Sequence, residues 1–344
     1  MADRPAASVV VTNHDYGRFL AAAVDSALAQ EGLPVEVIVV DDGSTDGSGA
    51  VLDAYEGRAR VVRQANGGQG AAMNAGFALA RGEVVAFLDA DDLLDPDAMA
   101  RCAAALAADP GAVRVQFPLR CVDAGGRPLG VTMPADPGRL PRGDVRAAVL
   151  SHPDDLAWQV TSGNAFLASA LARVLPMPPA PYRISADHYL SNLTPLLGRV
   201  AVLDSPAGSY RIHGANADFR SALDLDRTRA IVTRTVATHE QVDRLAGELG
   251  LGGLGDPLAV RSVTFAANRL VSLRFDPDRH PVPGDRRWRL VADGTRAAMA
   301  RPDLGPARRA AAAGWFAAVA ALPRAVARPL VGVGLAPPTG RLRT

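Results

Sequence analysis

The chain has 344 residues, 48% of them hydrophobic, enough to bury a substantial core in one catalytic domain plus an appendage. Its 37 basic residues, every one an arginine, against 36 acidic ones leave a formal net charge of +1, which excludes a general nucleic-acid binder. Two cysteines make no disulfide framework, the start lacks the apolar run of a signal peptide and no stretch reaches the length of a membrane span, so the cytoplasm is the expected compartment.

In chain order, Ser8 to Thr12 reads as a short buried strand that runs into a polar loop, Asn13-His-Asp-Tyr16. Phe19, Leu20, Val24, Ala27 and Leu28 then follow at helical spacing. Val35 to Val40 is a second strand, leading into Asp41-Asp-Gly-Ser-Thr-Asp46, where Asp41 reads equally as a ligand residue or an Asx-turn. A glycine-rich loop, Asn66-Gly-Gly-Gln-Gly70, opens an alanine-rich helix whose first amides are expected to face a ligand's oxygens. That loop follows the third strand, and Met73 stands where a dinucleotide fingerprint needs a small residue, so a Rossmann oxidoreductase is not expected. Val84 to Leu88 is too uniformly apolar for a half-exposed strand and reads as a central one. It ends in Asp89-Ala-Asp-Asp92, where Asp91 or Asp92 reads either as a helix cap or as part of a cation site. Carboxylates completed by water and phosphate oxygens suit Mg²⁺ or Mn²⁺. The alternation of strands and helices predicts right-handed crossovers and a mostly parallel sheet, with Thr12, Asp41, Asp42, Asp89 and Asp91 together at one edge.

Three blocks in this order resemble the successive motifs of family 2 glycosyltransferases: Val39-Val-Asp-Asp-Gly-Ser-Thr-Asp46, Asn66-Gly-Gly-Gln-Gly-Ala-Ala-Met-Asn-Ala-Gly76 and Phe87-Leu-Asp-Ala-Asp-Asp92. The resemblance covers residues 6–215 and implies a GT-A fold, an α/β nucleotide-binding domain with a mostly parallel central sheet flanked by helices. It implies inverting, metal-dependent transfer of one sugar from a nucleotide sugar, uridine-linked, to a hydroxyl of a glycan, glycolipid or small acceptor. By the same resemblance Thr12, Asn13, Asp42, Asn66 and Gly70 contact the nucleotide, with Asp42 accepting the imide N–H of uracil. Asp89 lies near the ribose and the bridging metal, and Asp91 is the direct ligand of Mg²⁺ or Mn²⁺. The family commonly carries arginine where Met73 stands, so Arg81 or a later arginine is expected to serve the phosphates.

Thr161-Ser-Gly-Asn-Ala-Phe166 and Ile184-Ser-Ala-Asp-His-Tyr189 resemble the acceptor half of the family. Asp187 matches the catalytic base that takes the acceptor proton, although a lone Asp before a helix also reads as an N-cap. Many members have Glu-Asp there, whereas this chain has Ala186-Asp187. Tyr210-Arg-Ile-His213 resembles the loop that closes over the diphosphate: Arg211 is the expected phosphate clamp and His213 a metal ligand, a structural loop histidine being the competing reading. Residues 123–145, rich in Gly and Pro, read as a long loop or hairpin over the active site.

The expected organisation is a catalytic domain over 1–220, with a nucleotide half at 6–120 and an acceptor half at 121–220, and an Ala/Arg-rich helical extension over 221–344. Within the extension, 223–250 and 257–274 read as helices around a glycine break. From Arg286 onward eleven arginines face two acidic residues. Trp315, Val319, Leu322 and Val326 fall on one face of a helix kinked at Pro323, expected to pack on the catalytic domain or a homodimer partner. Peripheral contact with the inner face of an anionic membrane is the second reading. Gly284 stands where processive synthases of the family have the Gln of Gln-x-x-Arg-Trp, which favours transfer of a single sugar. Two other functions are weighed. A catalytically silent nucleotide-sugar-binding scaffold is opposed by the intact Asp91 and Asp187. A sugar-phosphate nucleotidyltransferase would need a basic glycine-rich loop where Asn13-His-Asp-Tyr-Gly-Arg18 stands.

Overall fold

The computed structural model describes residues 5–214, 223–259, 261–301 and 303–334. It divides into two compact units, Met1–Val145 with Ala157–Gly214, and Arg146–Leu156 with Ala215–Thr344.

The first 214 residues run β1 (Ala7–Asn13), α1 (Gly17–Leu28), β2 (Val35–Asp42), α2 (Ser48–Asp53), β3 (Arg60–Gln64), α3 (Gln69–Phe77), β4 (Val84–Asp89), β5 (Leu93–Leu94), α4 (Ala98–Ala108), β6 (Ala112–Gln116), β7 (Leu119–Val122), β8 (Pro128–Met133), α5 (Arg146–Ser151), β9 (Asn164–Leu167), α6 (Ala168–Val174), α7 (Asp187–Leu197), β10 (Arg199–Val202) and β11 (Gly208–Arg211). A seven-stranded sheet has the order β10-β6-β9-β4-β1-β2-β3, and a four-stranded one the order β5-β11-β7-β8. In the large sheet only β9 runs against its neighbours, antiparallel to both β4 and β6.

The uniformly apolar strands are buried on both faces, as parallel strands between helices must be. Val9, Val11, Ala86 and Leu88 share a core with Leu20 of α1 and Met99 of α4. On the other face a Cβ added to Gly76 of α3 would stand 2.2 Å from Val10 Cγ1, so only glycine lets α3 lie this close to β1. The expected loop at 123–145 begins as a hairpin: β7 and β8 pair antiparallel, with Asp123 Oδ1 accepting the Gly125 and Arg127 N–H groups in the turn.

The second unit holds α5 followed by α8 (Leu225–Glu248), α9 (Val263–Phe275), α10 (Arg287–Ala300), α11 (Pro306–Ala321) and α12 (Arg324–Gly334). Residues 146–156, expected in the acceptor half, belong here, and hydrogen bonds explain why. Asp155 accepts the Val263 and Thr264 N–H groups at 2.8 and 2.9 Å, capping α9, and pairs with Arg301 at 3.1 Å. This cap also starts α9 at Val263 and not at 257. Pro323 ends a helix where a kink was expected: Leu322 before it is extended (ψ 152°), the conformation proline imposes on its predecessor. The apolar face thought to meet a partner closes within the unit itself. Val319 and Phe316 are fully buried with Leu270 and Leu290, while Val326 is 55% exposed and lies off that face. Among the described residues no helix is long and apolar enough to cross a membrane.

Candidate active site

Strand register brings the site together. Parallel pairing sets Thr12 beside Asp89 and Asn13 beside Asp41, so the carboxyl ends of β1, β2 and β4 present one polar edge. Thr12 Oγ1 lies 3.4 Å from Asp89 Oδ1. Asn13 Nδ2 donates to Asp41 Oδ1 at 2.8 Å, and Ser44 donates to the same oxygen. That fixes the amide's orientation and leaves Asn13 Oδ1 buried without a protein donor, an acceptor suited to a ligand N–H.

The glycine-rich loop corrects an expectation. Asp42 accepts the Gly67 N–H at 2.8 Å and the Gly68 N–H at 2.7 Å, while the Gln69 and Gly70 N–H groups donate to Arg183 O and Tyr182 O, both at 2.9 Å. All four amides therefore have protein acceptors, and none is open to a phosphate. Gly68, at φ +87°, would bring a Cβ within 2.5 Å of Arg183 Cα, so the loop and Gly70 serve to seat the 182–183 segment. Asn66 stays at the exposed rim, where its Oδ1 accepts from Arg183.

Three carboxylates end β4. Burial, then the charges of Asp91 and Asp187, push the Asp89 carboxyl up to about 7. Burial and the charges of Asp91 and Asp89 also hold Asp92 well above the usual range; its Oδ1 accepts the Arg211 N–H at 2.9 Å, a structural bond. Asp91 Oδ2 lies 3.0 Å from His213 Nε2. The imidazole is packed by Tyr16 and Phe19, with ring centroids at 5.6 and 4.8 Å, and Arg18 Nη2 stands 3.4 Å from its Nδ1.

This pair fits a divalent cation. Two donors on adjacent corners of an octahedron, each at about 2.1 Å from the metal, stand about 3 Å apart. Among the described residues no group of three or more His, Cys, Asp or Glu side chains gathers around one point. Such a pair would leave the remaining positions of a bound ion to phosphate oxygens and water.

Two expected phosphate residues are elsewhere engaged. Arg211 is 5% exposed, its Nε donating to Asp91 O at 2.8 Å and its Nη1 to Ala124 O at 3.2 Å, so it braces the loop. Arg81 pairs with Glu36 beside Ser8, at the start of β1 and the opposite edge of the sheet. Two exposed cations do stand at the site: Arg18, stacked 4.3 Å over Phe19, and Arg183. Arg18 stands in the first turn of α1, just after the first strand-end loop, a position that could have flagged it.

Asp187 opens α7 and lines a small cavity with Met73, Thr161 and Asn164. Arg114, a strand residue that no motif marks, holds Asn164 of that lining. It is fully buried, donating to Asn164 Oδ1 through Nη2 at 2.6 Å and Nε at 3.0 Å. Burial pulls its pKa down to about 9, against the opposing pull of the Asp187 charge.

The glycosyl transferase family 2 model matches residues 8–149. An uncharacterized glycosyltransferase of Nostoc sp. is 36% identical over 219 residues, covering 62% of this chain and 67% of that protein. The succinoglycan biosynthesis protein ExoO of Rhizobium meliloti is 38% identical over 140 residues, 40% of each chain. In fold, the S. aureus TarS 1–349 structure in complex with UDP-GlcNAc aligns with a TM-score of 0.55 at 15% identity, covering 96% of this chain and 90% of that one. Ordered motifs, a carboxylate-rich edge on a mostly parallel sheet and the Nostoc match converge: the chain belongs to glycosyl transferase family 2.

Proposed function

We propose that this glycosyltransferase moves one sugar from a uridine-linked nucleotide sugar to a hydroxyl of a glycan, glycolipid or small acceptor, inverting the anomeric carbon, with Mg²⁺ or Mn²⁺ held by Asp91 and His213. The observation that carries the reading is the 3.0 Å Asp91–His213 pair at the same sheet edge as Asp89, whose carboxyl feels the charge of Asp187.

Bound there, the metal supplies positive charge to the diphosphate as it leaves. Asn13 Oδ1 and the rim of the Asp42-anchored loop form the base pocket, and Asp42 keeps lone-pair capacity beyond its three protein donors. Arg18 and Arg183 supply the phosphate cations in place of the family's arginine at Met73. Asp187 takes the proton from the acceptor hydroxyl while that oxygen bonds to the anomeric carbon and the bond to the diphosphate oxygen breaks. The S. aureus TarS fragment binds UDP-GlcNAc, which supports uridine as the base.

The test is a panel of nucleotide sugars screened for thermal stabilisation with and without Mn²⁺, followed by acceptor assays with each stabilising donor. A ligand at a hundred times its Kd adds about 2.7 kcal/mol, a readily measured rise in Tm. Metal-dependent stabilisation by a uridine sugar and a product of inverted configuration are expected. Tight binding with no transfer to any acceptor would favour the silent scaffold instead.

A further inference from the structure

Gln69 touches both halves of the site. Its Nε2 donates to Asp89 Oδ1 at 2.8 Å and reaches Thr161 Oγ1 at 3.2 Å, while its Oε1 accepts the Ala186 N–H at 2.8 Å. The amide has one workable orientation: turned over, its oxygen would face the Asp89 carboxylate and its NH₂ group the Ala186 N–H. Its backbone is tied as well, the N–H donating to Arg183 O at 2.9 Å. Ala186 immediately precedes Asp187, and the chain turns sharply just before it, with Ser185 at φ +57°.

We infer that Gln69 is a positioning residue for transfer: a single side chain fixes the Asp89 carboxylate on the donor side and the first turn of the Asp187 helix on the acceptor side, so that placing the donor also places the base. The inference rests on the reading of Asp187 as base. The residue type follows from the geometry. Glutamate would set a further carboxylate against Asp89, and asparagine is one methylene short of the span. What these bonds set is distance, and a displacement of about 1 Å at a reacting group costs on the order of a hundredfold in rate.

Two variants separate the bonds. Gln69→Glu keeps the acceptor for Ala186 and removes the donor to Asp89; Gln69→Leu removes both. Three quantities are read: UDP affinity by calorimetry in Mn²⁺, kcat and acceptor KM, and hydrogen exchange at the amides of 186–189. For Gln69→Leu the expected result is a kcat lower by about 10–100-fold with UDP affinity and acceptor KM within about threefold of wild type. Exchange at Ala186 should quicken. Gln69→Glu should lose rate while keeping protection at Ala186, and it decides the matter if Gln69→Leu does not fold. A purely structural residue would move Tm, UDP affinity and kcat together, and that pattern overturns the inference, as does wild-type kcat in both variants. If wild-type protein transfers no sugar, the proposed function falls by itself. The exchange result then stands alone: quickened exchange at Ala186 upholds the link to α7, and unchanged exchange removes it.

Discussion

His213 Nε2 and Asp91 Oδ2 meet at 3.0 Å although 122 residues separate them in the chain. The encounter is built by the neighbours of both. Asp92 accepts the backbone N–H of Arg211, and the Arg211 guanidinium donates back to the Asp91 carbonyl, so β11 is fastened to the end of β4 two residues before the imidazole.

Removing either partner should therefore separate metal from nucleotide. Changes one step out from a metal typically cost about 10–100-fold in affinity, so loss of a direct ligand should cost at least as much. Asp91→Asn and His213→Ala are expected to bind UDP equally with and without Mn²⁺ in calorimetry, while staying folded by circular dichroism. Wild-type turnover that survives EDTA would take the metal out of the mechanism.

Asp42→Ala leaves the Gly67 and Gly68 amides without their acceptor, and Gly68 is buried. An orphaned buried donor costs about 1–3 kcal/mol, so Tm should fall and UDP affinity drop about tenfold as the loop loosens. Unchanged affinity in calorimetry would remove Asp42 from the base pocket.

Asp187→Asn preserves size and hydrogen bonding but cannot take a proton. Donor affinity should stay near wild type while the rate drops by about 10²–10⁴-fold. Donor binding that collapses with activity would make Asp187 a structural or ligand-contacting group, and surviving activity would move the base elsewhere, His188 first.

The second unit should lose stability as pH rises. Fully buried His239 lies between Asp154 Oδ2 and Pro257 O, each 2.9 Å from a ring nitrogen, an arrangement that satisfies both nitrogens only in the protonated ring. Burial opposes the charge, but the Asp154 carboxylate and these hydrogen bonds raise the pKa above 6.5. Because the folded value exceeds the unfolded one, the stabilisation is complete below about pH 6.5 and disappears as pH climbs through the folded value. Calorimetric Tm of wild type should fall over that range, and His239→Asn should flatten the slope. An identical slope in the variant would assign the dependence to another group.

The strands could be read because they are extreme: Val84 to Leu88 has no polar residue to break the run, and the carboxylates that follow mark its exit. Motif blocks placed Asp91 and His213, which the fold then joined. What stayed hidden depended on distant partners. Nothing around Gly67 to Gly70 announces that Tyr182 and Arg183 will take two of the loop's amides. Arg114 alternates with Val113 and Val115 like any strand residue bound for solvent, yet it is fully buried. Arg211 has the chemistry of a phosphate clamp, but its side chain turns inward to carbonyl oxygens. A residue type shows which bonds it can make; only the fold shows which partner arrives first.

The excursion of residues 146–156 into the second unit has a temporal side. Asp155 leaves the ribosome 107–109 residues ahead of Ser262, Val263 and Thr264, which it will bind, and Asp154 leaves 85 ahead of His239. At about 5–20 residues per second Asp155 waits about 5–20 s, a carboxylate without its donors beside Val149, which is fully buried in the finished fold. The first sheet can close during that interval; of the second unit α8 emerges within it, and α9 to α12 only after it. A chain cut after Gly214 would extend the wait indefinitely, so any shortened form of the sheet unit has to shed this segment too or leave Asp155 without the donors of Ser262, Val263 and Thr264.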